Sequence, residues 1–247
     1  MNFLFSRENL FVTILLLFSL LINQYYGSRG VFPLDSFSHF DAGYRILLGE
    51  YPFKDYWTVS GPFIDYLQAV FFYLFGTNWQ SYVLHASLIN VLLTITTYIV
   101  LRNFKLNIYY SLIYSLLFSV LAYPSSGTPF MDHHSAFFSL LGIYNLILAI
   151  KSDKKLYWVL LPIFFGFAFL SKQVPSSYVI VCAILILAIF SLSQRKFFWI
   201  KYSFLSVASF IFKASFIFKF SFIKGIFFPV IIKSSTVLSF APRLPEG

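Results

Sequence analysis

Between residues 8 and 193 the chain alternates long apolar runs with short charged connections, and that alternation dictates a bundle of membrane-spanning helices. A bilayer core about 30 Å thick takes about 20 apolar residues of α-helix, and a helix satisfies its own backbone hydrogen bonds where no water can. The runs predict spans at about 8–25, 80–101, 107–123, 135–150, 156–172 and 177–193, with a less regular one at 202–232. Leu67 to Gly76 is apolar over only half that length, which suits a helix lying in the membrane surface. At 11% charged residues and 22% aromatics, with mean hydropathy +0.78, the chain carries more apolar surface than a soluble core of 247 residues hides. The expected fold class is therefore all-α, a polytopic bundle of about six or seven transmembrane helices forming a single transmembrane domain over 1–247.

The run Leu10 to Ile22 follows Arg7 as a signal peptide would, but Asn23 and Gln24 come next with no small-x-small cleavage pattern. It is read as a retained first span. Arg7, then Arg102 and Lys105, then Lys151, Lys154 and Lys155, then Arg195, Lys196 and Lys201 occupy alternate connections, which predicts a cytoplasmic N-terminus in a cell (inner) membrane. The loop 26–79, the loop 124–134 and the turn 171–176 then share the outer face. The net charge of +9 lies mostly where these ends meet lipid headgroups, so it predicts membrane lipids as partners and no nucleic acid. One cysteine, Cys182 in an apolar run, excludes an internal disulfide and reads as a small apolar filler. From 202 to 247 the pattern turns irregular, with a Lys every five to nine residues in "FIFKASFIFKFSFIKGIFFPVIIK".

Of the nine acidic residues, five (Asp35, Asp41, Glu50, Asp55, Asp65) fall between 35 and 65, in the first outward loop. There Phe37, Phe40, Tyr44 and Leu47 recur at helical spacing, predicting an amphipathic helix over 36–48 with Asp35 as N-cap and Gly49 as C-cap. His39 and Asp41 are expected near its polar side with Arg45, Asp41 and Arg45 being four apart and able to pair. "GEYPF" and "SGPF" break the chain twice before a second in-plane helix at 64–75. Taken alone, these acids have plain explanations: a cap, an ion pair, solvated turn residues.

Their spacing adds something. Asp35, Gly43, Arg45-Ile46-Leu47, Gly49-Glu50, Pro52-Phe53-Lys54-Asp55, Trp57, Gly61-Pro62 and Phe75-Gly76 together resemble the first outward loop of the GT-C glycosyltransferases, in the branch of the protein O-mannosyltransferases and aminoarabinose transferases. The resemblance covers about 45 contiguous residues; family members usually carry several more spans, and many have Glu where this chain has Ser36. It implies transfer of a sugar from a polyprenyl-phosphate donor to an acceptor (protein, lipid or glycan) on the outer face, with the loop acid Asp35 as catalytic base and Asp41 as its alternate. It also implies cationic partners for the leaving phosphate: Arg45 and Lys54 in the loop, and Lys172 in "FLSKQVPSS". Asp55 joins these as a substrate contact. In "PSSGTPFMDHHSAFF", Asp132 and His133 are candidate contacts to acceptor or sugar. Some GT-C enzymes use a divalent metal, the one cofactor left open; adjacent His133 and His134 point about 100° apart on a helix, so no metal ligands are assigned. Two other classes stay open: a lipid or solute transporter, against which stands the scarcity of charge in the central spans, and a non-catalytic assembly subunit or degenerate fragment, favoured by the short chain.

Overall fold

The computed structural model describes residues 7–29, 35–58, 60–123, 127–152, 154–205 and 207–208, Asp35 and Ser36 by backbone alone. Eight helices carry most of this chain: α1 Arg7–Gly27, α2 Asp35–Leu47, α3 Phe63–Phe75, α4 Trp79–Asn103, α5 Ile108–Ala122, α6 Met131–Ser152, α7 Lys155–Ser171 and α8 Gln173–Ser193. Four of them, α1, α4, α6 and α8, are long and apolar enough to cross a bilayer. α5 and α7 are shorter, but each runs between the same two ends as its long neighbours. The protein is an integral membrane protein with an all-helical polytopic bundle. Most of the expected 202–232 span, with the rest of the irregular C-terminal segment, lies outside the described residues.

Contacts sort the connections into two sets. At one end Arg102 bonds Glu8 at 2.9 Å and the Leu106 carbonyl at 2.6 Å, and Lys151 reaches the Asn103 carbonyl. At the other, Trp79 Nε1 donates to the Gly27 carbonyl, Gly61 N–H to the Ser171 carbonyl, and Lys172 to Asp132. The basic connections thus gather opposite the loops that hold the clustered acids.

Small polar residues make the helix seams. The buried stripe of α1 is Leu15, Ser19, Asn23 and Gly27, one residue per turn, and that of α5 is Ser111, Ser115, Ser119 and Ala122. Backbones approach closely along such stripes, and Asn90 of α4 ties them together by donating to the carbonyls of Ser119 (3.0 Å) and Ser19 (3.5 Å). Asn23 does the same across α1 and α4, donating to Ser87 Oγ and to the Gly127 carbonyl, each at 3.0 Å. The α6–α7 pair is apolar: Gly142 leaves room for the Phe165 ring, and Leu146, Ala149, Trp158 and Leu161 continue the seam. α8 turns its outer face away from the protein, and Cys182 is exposed there rather than packed as a filler.

Helix boundaries follow local chemistry. Asn78 caps α4 by accepting from Ser81 N–H at 2.9 Å, and Asn107 caps α5 through Tyr109 N–H at 2.9 Å. α2 ends where Gly49 adopts φ +88°, its N–H on the Ile46 carbonyl and that of Glu50 on the Arg45 carbonyl, the paired bonds of a Schellman motif. Gly76, at φ +83°, stops α3.

Candidate active site

α2 and α3 pack against each other at the end of the bundle that carries the acids, and three polar side chains, His39, Asp65 and Gln68, are buried in an otherwise apolar contact. The α2 residues buried in the contact are His39, Ala42, Gly43 and Ile46, while Phe37 and Tyr44 stay exposed. His39, expected near the polar side with Asp41 and Arg45, is buried rather than exposed but lines the same cleft as both. Gly43 explains the closeness, because a Cβ there would meet Gln68 Cγ at 2.8 Å. From α3 come Ile64, Asp65, Gln68, Ala69 and Phe72. Asp65 is 0% exposed, and its Oδ1 lies 2.7 Å from His39 Nδ1.

Beside this pair opens a cleft of about 410 Å³, within the usual range for ligand sites. It is bounded by His39, Asp41 and Arg45 of α2, by Asp55 to Thr58 and Ser60 of the connecting loop, by Asp65, and by Met131 at the start of α6. The loop is drawn over α2 by a tight reversal: Tyr51 N–H donates to Asp55 Oδ2 at 2.8 Å and Phe53, at φ +67°, donates to the Tyr56 carbonyl at 2.9 Å. Burial, and then the charge of Asp65, push the Tyr56 phenol up, which keeps its hydroxyl a neutral donor at physiological pH.

The proposed cations all have partners. Arg45 donates to Asp41 at 2.7 Å and to Glu50 at 3.1 Å, and the Asp41 hydrogen bond, followed by that of Glu50, holds the guanidinium above its ordinary pKa. Lys54 stands 3.8 Å from Asp55. Lys172, at the junction of α7 and α8, donates to Asp132 at 2.6 Å. With these two side chains 32% and 47% exposed, solvent screens the pair. A double-mutant cycle on Lys172→Gln and Asp132→Asn is expected to give a coupling of about 0.5–1 kcal/mol in thermal unfolding; strictly additive losses would show that the contact adds nothing.

His133 and His134 part as helix geometry requires. His133 sits among the rings of Tyr123, Phe130 and Phe137. His134 is fully buried, its Nε2 at 3.1 Å from His85 Nε2, while His85 Nδ1 contacts Gln68 Oε1 at 2.8 Å. A polar chain therefore runs from α3 into the bundle beside the cleft. Among the described residues no three His, Cys, Asp or Glu side chains converge as metal ligands, and Asp132 is held by Lys172.

Of the expected site residues, Asp41, Arg45 and Asp55 line the cleft; Asp132 and His133 directly follow Met131 of its wall; Lys54 adjoins Asp55. Asp35 is the first residue of α2, one turn ahead of His39, and its side chain lies outside the described residues. Sequence reasoning passed over Asp65, Gln68, His85 and the inward role of His39. The available signal was Asp65 and Gln68, three apart and therefore on one face of the otherwise apolar "FIDYLQAVFFYLF".

A family model described as dolichyl-phosphate-mannose-protein mannosyltransferase matches residues 59–218, from the loop beside α3 through α8. No curated protein and no solved structure matches the chain.

Proposed function

The chain belongs to the dolichyl-phosphate-mannose-protein mannosyltransferase family, membrane glycosyltransferases of GT-C type, and from that premise we propose that it moves a sugar from a polyprenyl-phosphate donor to an acceptor hydroxyl at the outer face of the cell (inner) membrane. The N-terminus is cytoplasmic in this reading, because the basic connections lie at the end away from the cleft. The family match carries the proposal. The cleft between α2 and α3 supports it, with acids, a guanidinium, hydroxyls and the exposed Trp57 ring gathered at the outer end of the bundle.

Asp35 is the general base in this reading: its carboxylate takes the acceptor proton as the hydroxyl oxygen attacks the anomeric carbon and the carrier phosphate departs. Asp41 is its alternate. Arg45, Lys54 and Lys172 receive the phosphate by exchanging a carboxylate partner for a phosphate oxygen. Asp55, Asp132 and His133 contact sugar or acceptor. Membranes carrying wild type, Asp35→Asn or Asp41→Asn are compared for transfer from radiolabelled polyprenyl-phosphate sugars. Asp35→Asn is expected to reduce transfer by about a hundredfold or more, and Asp41→Asn by less than about tenfold. Loss in Asp41→Asn alone moves the base to the next turn of α2; transfer indifferent to both removes the carboxylate base altogether.

A further inference from the structure

Each cation near the cleft that this reading assigns to phosphate is already neutralised by a carboxylate, Arg45 by two of them. As the bond to the sugar breaks, the phosphate oxygen gains charge and has most to gain from a group able to hand it a proton. Among the described cleft residues, Tyr56 carries a phenol and His39 the one imidazole. His39 is 4% exposed and lines the cleft; its Nδ1 is held by Asp65, and its Nε2 has no hydrogen-bond partner. With Asp65 as the acceptor, the hydrogen of this bond sits on Nδ1, which leaves Nε2 as the nitrogen open to a further partner. A buried ring nitrogen without a partner is an expensive arrangement, and this one lies beneath the cleft wall, so a ligand reaches it only when the ring turns or the wall opens.

We propose that His39, oriented by Asp65, is the general acid for the departing carrier phosphate. The proposal rests on the glycosyltransferase reading above. In the step, the acceptor oxygen forms its bond to the anomeric carbon and yields its proton to the loop carboxylate. The bond from anomeric carbon to carrier oxygen breaks, its electron pair stays on the phosphate, and that oxygen takes the Nε2 proton of His39. Neutral His39 keeps its Nδ1–H on Asp65, and exchange of one proton with solvent at each group restores the site. The charged and titratable groups around His39 include Asp65 from α3, His85 from α4, His134 from α6, and Asp41, Arg45, Asp55 and Tyr56 around the cleft.

His39→Gln keeps an amide N–H but has no proton to release. It is expected to lower the turnover of purified enzyme about a hundredfold and to abolish the alkaline limb of the pH profile, since a general acid works only while protonated. A donor analogue whose leaving phosphate bears an electron-withdrawing aryl ester needs less protonation, and the deficit with it shrinks to less than about tenfold. Asp65→Asn keeps an acceptor for Nδ1 but removes the negative charge beside the imidazolium, which moves the alkaline limb to lower pH. Calorimetry with a short-chain polyprenyl phosphate, in buffers of different ionisation heat, shows proton uptake in wild type that His39→Gln lacks. An active wild type whose rate, pH profile and proton uptake all survive His39→Gln overturns the general acid and leaves the glycosyltransferase reading standing. A wild type that neither binds the carrier nor transfers sugar overturns that reading, and the role of His39 with it.

Discussion

Asp65→Ala is expected to lower the unfolding free energy of the detergent-solubilised protein by about 3–5 kcal/mol, among the largest losses any single side-chain truncation should give in this chain. The carboxylate is fully buried, and its Oδ1 is the sole partner of a His39 ring that is itself buried and already lacks a partner at Nε2. Truncation strands both imidazole nitrogens and leaves a void between α2 and α3 beside the buried Ile64, Ala69 and Phe72. Asp65→Asn, which keeps an acceptor for Nδ1, is expected to lose less than half as much. Replacing both members, His39→Leu with Asp65→Leu, removes the stranded groups together and is expected to recover most of the stability while transfer stays lost. Unfolding midpoints of the four proteins decide it: an Asp65→Ala midpoint equal to wild type would mean that the pair does not hold α2 against α3.

The spans could be read from the sequence because the physics behind them is local. About 20 apolar residues make a crossing helix, and Asn78, Asn107, Gly49 and Gly76 mark helix ends through their own backbone bonds. Which way a helix turns is not local. The stripe of Phe37, Phe40, Tyr44 and Leu47 marked an amphipathic helix lying on a surface, and along it Phe37 and Tyr44 are exposed, Phe40 packs on Phe72 and Tyr82, and His39 faces inward. In water an apolar stripe must turn toward the core, whereas beside lipid both directions are apolar, and close approach decides instead. Ala42 and Gly43 were the better guide, since they let α3 come near enough for Asp65 to reach His39. Charge pairing was legible only at short range. Asp41 and Arg45, four apart, pair as expected, but nothing in the sequence joins Lys172 to Asp132 across 40 residues. Four of the five loop acids, those with described side chains, divide into three fates: Asp41 and Glu50 hold Arg45, Asp55 ties the turn, and Asp65 is buried against an imidazole.

Gly61→Val is expected to leave no detergent-stable protein with transfer activity, because what it displaces is backbone. A Cβ at residue 61 would stand 1.8 Å from the Leu170 carbonyl oxygen and 2.4 Å from its carbon, atoms at the end of α7 with no rotamer to change. The same contact has a use: the last carbonyls of a helix lack partners within it, and Gly61 N–H donates to that of Ser171 at 3.2 Å. Two residues on, Phe63 stacks on Phe167 of α7 with ring centres 4.3 Å apart. A branched side chain must lift the loop from α7, break that bond and unstack that ring, and it carries Thr58 and Ser60 away from the cleft they line. Gly61→Ala, with one methyl to place, is expected to cost about 3 kcal/mol. Gly49 is the control, since a Cβ there meets nothing within 4 Å and only its φ of +88° resists substitution. Gly49→Ala should therefore lose about 1–2 kcal/mol through backbone strain and keep its activity. Thermal unfolding and transfer assays on the three variants separate lack of room from strained conformation. Equal losses at Gly61→Ala and Gly49→Ala would show that the loop does not rest on α7 through residue 61.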